Sequence, residues 1–110
     1  MSRQKKEIRA AFRAAVFQPD RYRCRVCGLQ SSPEKAAEQL DAHHITDRHE
    51  IANGGYVKEN GVSLCKAKCH VLAESHHNGE TPPNGFSPSE LYNRIGSSLA
   101  RAERASEKLG

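Results

Sequence analysis

The sequence predicts a small α+β domain whose core is completed by a bound metal ion. Three observations carry that expectation. Four cysteines fall in two close pairs, Cys24-x-x-Cys27 and Cys65-x-x-x-Cys69. Two short β-type segments, 41–45 and 61–64, precede a helix-type segment at 69–77. Leu, Ile, Val and Phe together supply less than one fifth of the 110 residues, while 27% are charged. That balance lies near the disordered regime, and so short a chain with so little apolar material usually needs a disulfide or a metal to hold it.

The elements follow in order. Positions 4–17 predict a helix, because Ile8, Ala11, Phe12, Ala15 and Val16 recur at helical spacing while Arg3, Lys6 and Arg13 lie off that stripe. Pro19 stops it. "YRCRVCGL" reads as a tight metal knuckle, with Gly28 free to take a positive φ. "SSPEKAAEQL" predicts a short helix with Ser32 at its N-cap and Pro33 at its first position. "DAHHI" is a strand, "TDRHEIANGGYVKEN" a loop turning at Asn53-Gly54-Gly55, and "GVSL" the returning strand. Cys69 opens a helix that ends at His77. Ser87-Pro88-Ser89-Glu90 is a capping-box start for a C-terminal helical segment over residues 88–108. Its stripe of Leu91, Ile95, Ser98, Ala102, Ala105 and Leu109 fits packing back onto the domain or, more weakly, a homodimer seam. Gly96 is where that segment would bend or split.

One domain over 1–110 accommodates all of this, with its core at residues 21–78 between the two helical flanks. No apolar run approaches the ~20 residues that span a bilayer, so no membrane partner is expected. "MSRQKKEIRA" lacks the apolar core of a secretory signal. The expected compartment is a reducing cytoplasm, where paired thiols more often bind zinc than form disulfides.

Charge is uneven. Residues 1–30 carry eight basic and two acidic side chains, and residues 31–60 carry three and six. The basic N-terminal third, with Arg9, Arg13, Arg21, Arg23 and Arg25, is the expected phosphate-facing region, although a solvated helix face would look the same.

Cys24, Cys27, Cys65 and Cys69 predict one structural zinc, since two hairpin-like thiol pairs supply the four soft ligands of a tetrahedron. A redox role for Cys24-x-x-Cys27 would want a strand–turn–helix of thioredoxin type, which the Arg-flanked knuckle does not offer. Two disulfides are the other arrangement open to four cysteines.

All six histidines lie within 43–77. His43 and His44 sit on the first strand, Asn60 ends the loop, and His70 follows Cys69 on the helix. Taken with Cys24, Cys27, "DAHHI", "NGG", "NGVSLC" and "CH", this order resembles the HNH endonucleases, a branch of the ββα-metal (His-Me finger) nucleases. The likeness is to the zinc-stapled four-cysteine branch and its short stand-alone bacterial or phage members. It spans residues 21–77, roughly half the chain.

The resemblance implies a ββα-metal, treble-clef-like core and a metal-dependent nuclease that hydrolyses DNA phosphodiester bonds, leaving 5′-phosphate and 3′-hydroxyl ends. By the same resemblance His44 is the general base, His43 and His70 hold a catalytic divalent metal, and Asn60 braces the loop that positions the base. It also implies a bacterial or phage-encoded protein working in the host cytoplasm.

The chemistry is consistent in its own terms. Imidazole titrates near neutrality and can take a proton from attacking water, and a divalent cation stabilises charge growing on the phosphoryl and leaving oxygens. Neighbouring strand residues face opposite ways, so His43 and His44 serve one site only if it wraps the strand edge. Asp41 shares His43's face as a candidate ligand or outer partner. Glu74 and His77 lie on His70's face and are further candidate ligands. His49 and His76 are expected to be exposed polar residues. Such ligands suit manganese, nickel, cobalt or zinc, with magnesium also admissible. DNA is the expected partner, and a partner protein would supply any sharp specificity. The other readings are a catalytically inactive zinc-stapled DNA-binding module and a structural zinc protein bridging other proteins.

Overall fold

The computed structural model describes residues 2–109. Its elements run α1 (Ser2–Phe17), α2 (Ala36–Gln39), β1 (Leu40–His44), β2 (Gly61–Cys65), α3 (Cys69–His77), α4 (Pro88–Arg94) and α5 (Leu99–Glu107). The radius of gyration is 13.0 Å. That is the size of a folded domain of this length, against about 30 Å for an unfolded chain.

β1 and β2 form a two-stranded antiparallel sheet in which Leu40 pairs with Cys65, His43 with Val62 and His44 with Gly61. A two-stranded sheet is marginal by itself. Here it is covered: every residue of β2 is buried, and Leu40, Val62 and Leu64 join Phe12, Val16 and Phe17 of α1 in the core. Gly61 makes that approach possible, because a Cβ there would run into Val16 and Phe12. The outer half of the α1 stripe is not used in this way. Ile8 is 41% exposed and Ala11 is exposed.

The short helix α2 begins three residues later than the sequence suggests. Ser32 still organises its entry: its Oγ accepts from Lys35 N at 3.2 Å and its carbonyl from Ala36 N at 2.8 Å, so residues 32–35 form a turn rather than a first helical turn. The connection from β1 to β2 contains two 3-10 turns, Ala52–Gly55 and Lys58–Asn60.

The C-terminal segment is two helices. Gly96 takes φ +70, which ends α4, and Ser98 caps α5 by accepting from Arg101 N at 3.2 Å. The start of α4 carries the capping box, with Ser87 and Glu90 bonded reciprocally. The break turns the stripe inward. Of its members Leu91 and Ala102 are buried, Ile95, Ser98 and Ala105 are half-buried and Leu109 is 52% exposed, while Ser106, outside the stripe, is buried as well. Ser106 Oγ accepts from Gly55 N at 3.0 Å and donates to the Ala52 carbonyl, so α5 is fastened onto the β1–β2 loop. Among the described residues no helix is long and apolar enough to cross a membrane.

Candidate functional site

Two clusters of metal-binding residue types draw on the hairpin and on the helix α3 that follows it. The first is Cys24, Cys27, Cys65 and Cys69, whose sulfurs all lie within 4.8 Å of one another. The knuckle is shaped by Cys24 N bonding to Leu29 O at 2.9 Å and Gly28 N to Cys24 O at 3.0 Å, with Gly28 at φ +83. Arg25 N bonds to Ser63 O at 2.9 Å and pins the knuckle to β2. Cys65 ends β2 and Cys69 begins α3, so the three intervening residues are the turn between strand and helix.

The Cys27 and Cys65 sulfurs are 3.8 Å apart. Four thiolates at ~2.3 Å from zinc form a tetrahedron with edges of about 3.8 Å. All four cysteines are free thiols, and the spacing is far beyond an S–S bond of about 2.05 Å. Burial acts to raise the Cys24 thiol, but backbone N–H groups of Cys27, Val26 and Cys65 outweigh it and bring it down to about 7. Burial raises Cys27 and Cys69, and their contacts with neighbouring thiols raise them further. One thiolate therefore opposes the next unless a cation lies among them. The donor set fits a dication, and these four cysteines could hold a zinc ion.

The second cluster is His43, His70 and Glu74, whose ligand atoms also converge within 4.8 Å. Glu74 Oε1 lies 3.0 Å from His70 Nε2 and 3.8 Å from His43 Nδ1. His43 is only 2% exposed, and its Nδ1 is buried without a hydrogen-bond partner. A buried, unpaired imidazole nitrogen facing a carboxylate and a second imidazole fits an ion held between them.

Asp41 takes the outer position. Its Oδ2 is 2.7 Å from His70 Nδ1, and its Oδ1 is 3.0 Å from Lys66 Nζ. It thereby orients His70 with Nε2 toward Glu74, the usual task of a carboxylate behind a ligand imidazole. The His70 hydrogen bond holds the Asp41 carboxyl below its usual range. Burial works to lower His70, but Asp41 and Glu74 raise it overall. Burial, reinforced by the neighbouring His70 and His77, drives His43 down to about 2. His77 Nε2 is 2.8 Å from the His44 carbonyl and donates to it, while its ring stacks on His43 at 5.2 Å. His77 lies beside the converging atoms rather than among them. His49 and His76 are exposed, as the sequence suggests.

His44 points to the other side of β1, as strand alternation requires. Its ring stacks on Phe12 at 4.5 Å and meets the edge of Tyr56 at 4.7 Å. Burial and then the nearby Arg48 lower its pKa to about 4. The imidazole is therefore neutral at physiological pH, and its Nε2 is buried without a hydrogen-bond partner.

Asn60 is fully buried and ties together the loop that follows His44. Its Nδ2 donates to the carbonyls of Thr46 at 3.0 Å and Gly55 at 3.2 Å. Its Oδ1 accepts from Thr46 N at 2.9 Å and Tyr92 OH at 2.6 Å, and its own carbonyl accepts from Ile45 N at 2.9 Å. One side chain thus closes a fourteen-residue span, with one end fixed two residues from His44.

An open cleft of about 400 Å³ is lined by His44, His70, Glu74, Asp41 and His77 together with Arg9, Arg13 and Arg48. The basic residues therefore divide. Arg9 and Arg13 line the cleft with the histidines, whereas Arg21 and Arg23 line a separate depression over the cysteine knuckle. Arg25 is engaged internally, 2.7 Å from Asp20 Oδ1 and 2.7 Å from the Arg94 carbonyl. The sequence reading omitted Arg48, because it lies in a loop with no periodic signal. It also omitted the contacts of Tyr92 and Tyr56, since an aromatic in a helix or loop reads equally as core. Comparisons with protein-family models, with curated proteins and with solved structures give no match to this chain.

Proposed function

We propose that this chain is a metal-dependent endonuclease of the HNH type, hydrolysing DNA phosphodiester bonds on a treble-clef-like core stapled by zinc. One observation carries the reading. His44, a neutral imidazole, lines the same cleft as His70 and Glu74, which join His43 in a three-ligand cluster. A non-catalytic zinc module has no need of that cluster, or of the bracing around Asn60.

His44 accepts the proton of the attacking water, its ring held in plane by Phe12 and Tyr56. His43, His70 and Glu74 hold the catalytic divalent ion, and Asp41 keeps His70 in the ligating tautomer. Bound there, the ion supplies positive charge to the phosphoryl and departing oxygens. Two imidazoles and one carboxylate suit manganese, nickel, cobalt or zinc better than magnesium. Arg9, Arg13 and Arg48, which line the same cleft, pair with backbone phosphates.

The test is nicking of a supercoiled plasmid across a panel of divalent metals, with His44→Ala as control. Cleavage by the parent and none by the variant supports the reading. Tight DNA binding with no cleavage under any metal leaves the zinc-stapled binding module in its place.

A further inference from the structure

A second groove, of about 730 Å³, lies between α1, the β1–β2 loop and the end of α5. Its apolar walls include Ile8, Tyr56 and Leu109, and its cationic walls include Lys5, Arg9 and Arg48. Among the described residues no carboxylate side chain lines it. Ile8 and Leu109 are 41% and 52% exposed, among the few large apolar side chains the fold leaves open.

The groove is continuous with the histidine cleft. Arg9, Arg48 and Tyr56 line both. Tyr56 stands at the boundary, its ring against His44 and its edge geometry fixed by Phe12 at 5.7 Å. An occupant must therefore be flat or apolar in the groove and anionic where it passes the two arginines into the cleft. A nucleotide has that pattern, with its base on apolar walls and its phosphate at the rim.

We propose that this groove receives an unstacked base of the DNA strand, so that the preferred substrate carries unpaired nucleotides beside the scissile phosphate. The proposal rests on the nuclease reading for the place of the scissile phosphate. A base in an intact duplex is paired and stacked and reaches such a groove only by being turned out, at a cost that an already unpaired base does not incur. An acidic protein segment would satisfy the cationic rim, but it has no reason to continue past Tyr56 to His44.

The test uses the zinc-loaded full chain carrying His44→Ala, with no other divalent metal added, so that binding is read without cleavage. The probes are a blunt duplex, the same duplex with an unpaired tract containing 2-aminopurine, and poly-glutamate as an acidic chain. The comparison protein adds Ile8→Gln and Leu109→Ser, both at exposed positions. The expected result is tighter binding of the unpaired tract, with a fluorescence change showing the base leaving its stacked neighbours. The groove variant should lose about 5- to 100-fold of that affinity while holding the blunt duplex unchanged. Equal effects on both probes, or none, overturn the proposal. Loss of poly-glutamate binding with retention of the labelled strand also overturns it and gives the groove to an acidic protein segment. The parent chain, tested separately with metal, should cut the unpaired substrate faster than the duplex. If it cuts neither, the nuclease reading falls, while the binding contrast is decided by the two probes alone.

Discussion

The hydroxyl of Tyr92, on α4, donates to Asn60 Oδ1 at 2.6 Å, so a helix outside the hairpin sets the residue that closes the loop beside His44. The same hydroxyl is 2.7 Å from Thr46 Oγ1, and Thr46 N bonds to the same Asn60 oxygen. Three side chains from three segments therefore form one buried polar network. Networks of this kind specify a single arrangement when every member is satisfied.

Tyr92→Phe keeps the ring in place and removes only the hydroxyl. Asn60 Oδ1 retains Thr46 N, so the expected loss is about 1–2 kcal/mol, or a melting point lower by roughly 4–8 °C per kcal/mol. Asn60→Ala should cost about 3 kcal/mol or more, because it strands two carbonyls, an amide and the phenol in a buried site. Urea denaturation of both variants checks this order. If the network positions His44, Tyr92→Phe should also lower kcat for plasmid nicking while leaving DNA affinity unchanged.

Much of this was legible in the sequence because the signals are local. Thiol spacing, strand alternation through Asp41 and His43, and helical spacing from His70 to Glu74 each need only neighbouring residues, and the structure brings those groups together as expected. The capping box at Ser87 was equally visible. What stayed hidden depends on long-range packing. Tyr92 reaches Asn60 across thirty-two positions, and Ser106 reaches Gly55 across fifty-one. Asp20 was only a charge beyond the first helix, yet it accepts from Ser63 N at 2.9 Å and from Arg25. No periodicity announces such partners. The bend at Gly96 was foreseeable, but its consequence, α5 lying on the loop, was not.

Zinc should be structural and stoichiometric. One zinc per chain is expected by elemental analysis, and a strong chelator should unfold the protein, because the free energy of binding at such a site is part of the free energy of folding. Cys24→Ser should leave the chain largely unfolded by circular dichroism. Folded, active protein without zinc is the outcome that rejects this assignment.

The arginines should separate into two groups. Arg9→Ala, Arg13→Ala and Arg48→Ala each remove a cation from the cleft that the histidines line. Each should weaken DNA binding and flatten its log–log salt dependence by about 0.9 per lost phosphate contact. Arg25→Ala should act differently. It releases the buried Asp20 and a link to α4, so a stability loss of about 1–3 kcal/mol is expected, with little change in the salt slope. Arg21→Ala and Arg23→Ala, over the knuckle, test whether the DNA path extends that far. Unchanged slopes for Arg9, Arg13 and Arg48 together would move the binding face elsewhere.

His44 and His70 should fail in different ways. His44 stands against Phe12 and Tyr56, outside the set of converging ligand atoms, and its proposed work is to move a proton. His44→Ala should therefore lower cleavage by ~10²-fold or more while manganese or nickel still binds. His70 contributes one of only three converging ligands and is itself held by Asp41. His70→Ala should lose cleavage and catalytic-metal affinity together, and Glu74→Gln should follow it. Asp41→Asn should weaken metal binding by about 10- to 100-fold without abolishing it, since it acts on the ligand rather than on the ion. None of these changes should release the zinc, whose four thiolates are a separate set of ligands. Calorimetric titration of each variant with manganese, alongside zinc analysis, separates the cases. Loss of manganese binding in His44→Ala with retention in His70→Ala would reverse the assignment of base and ligand.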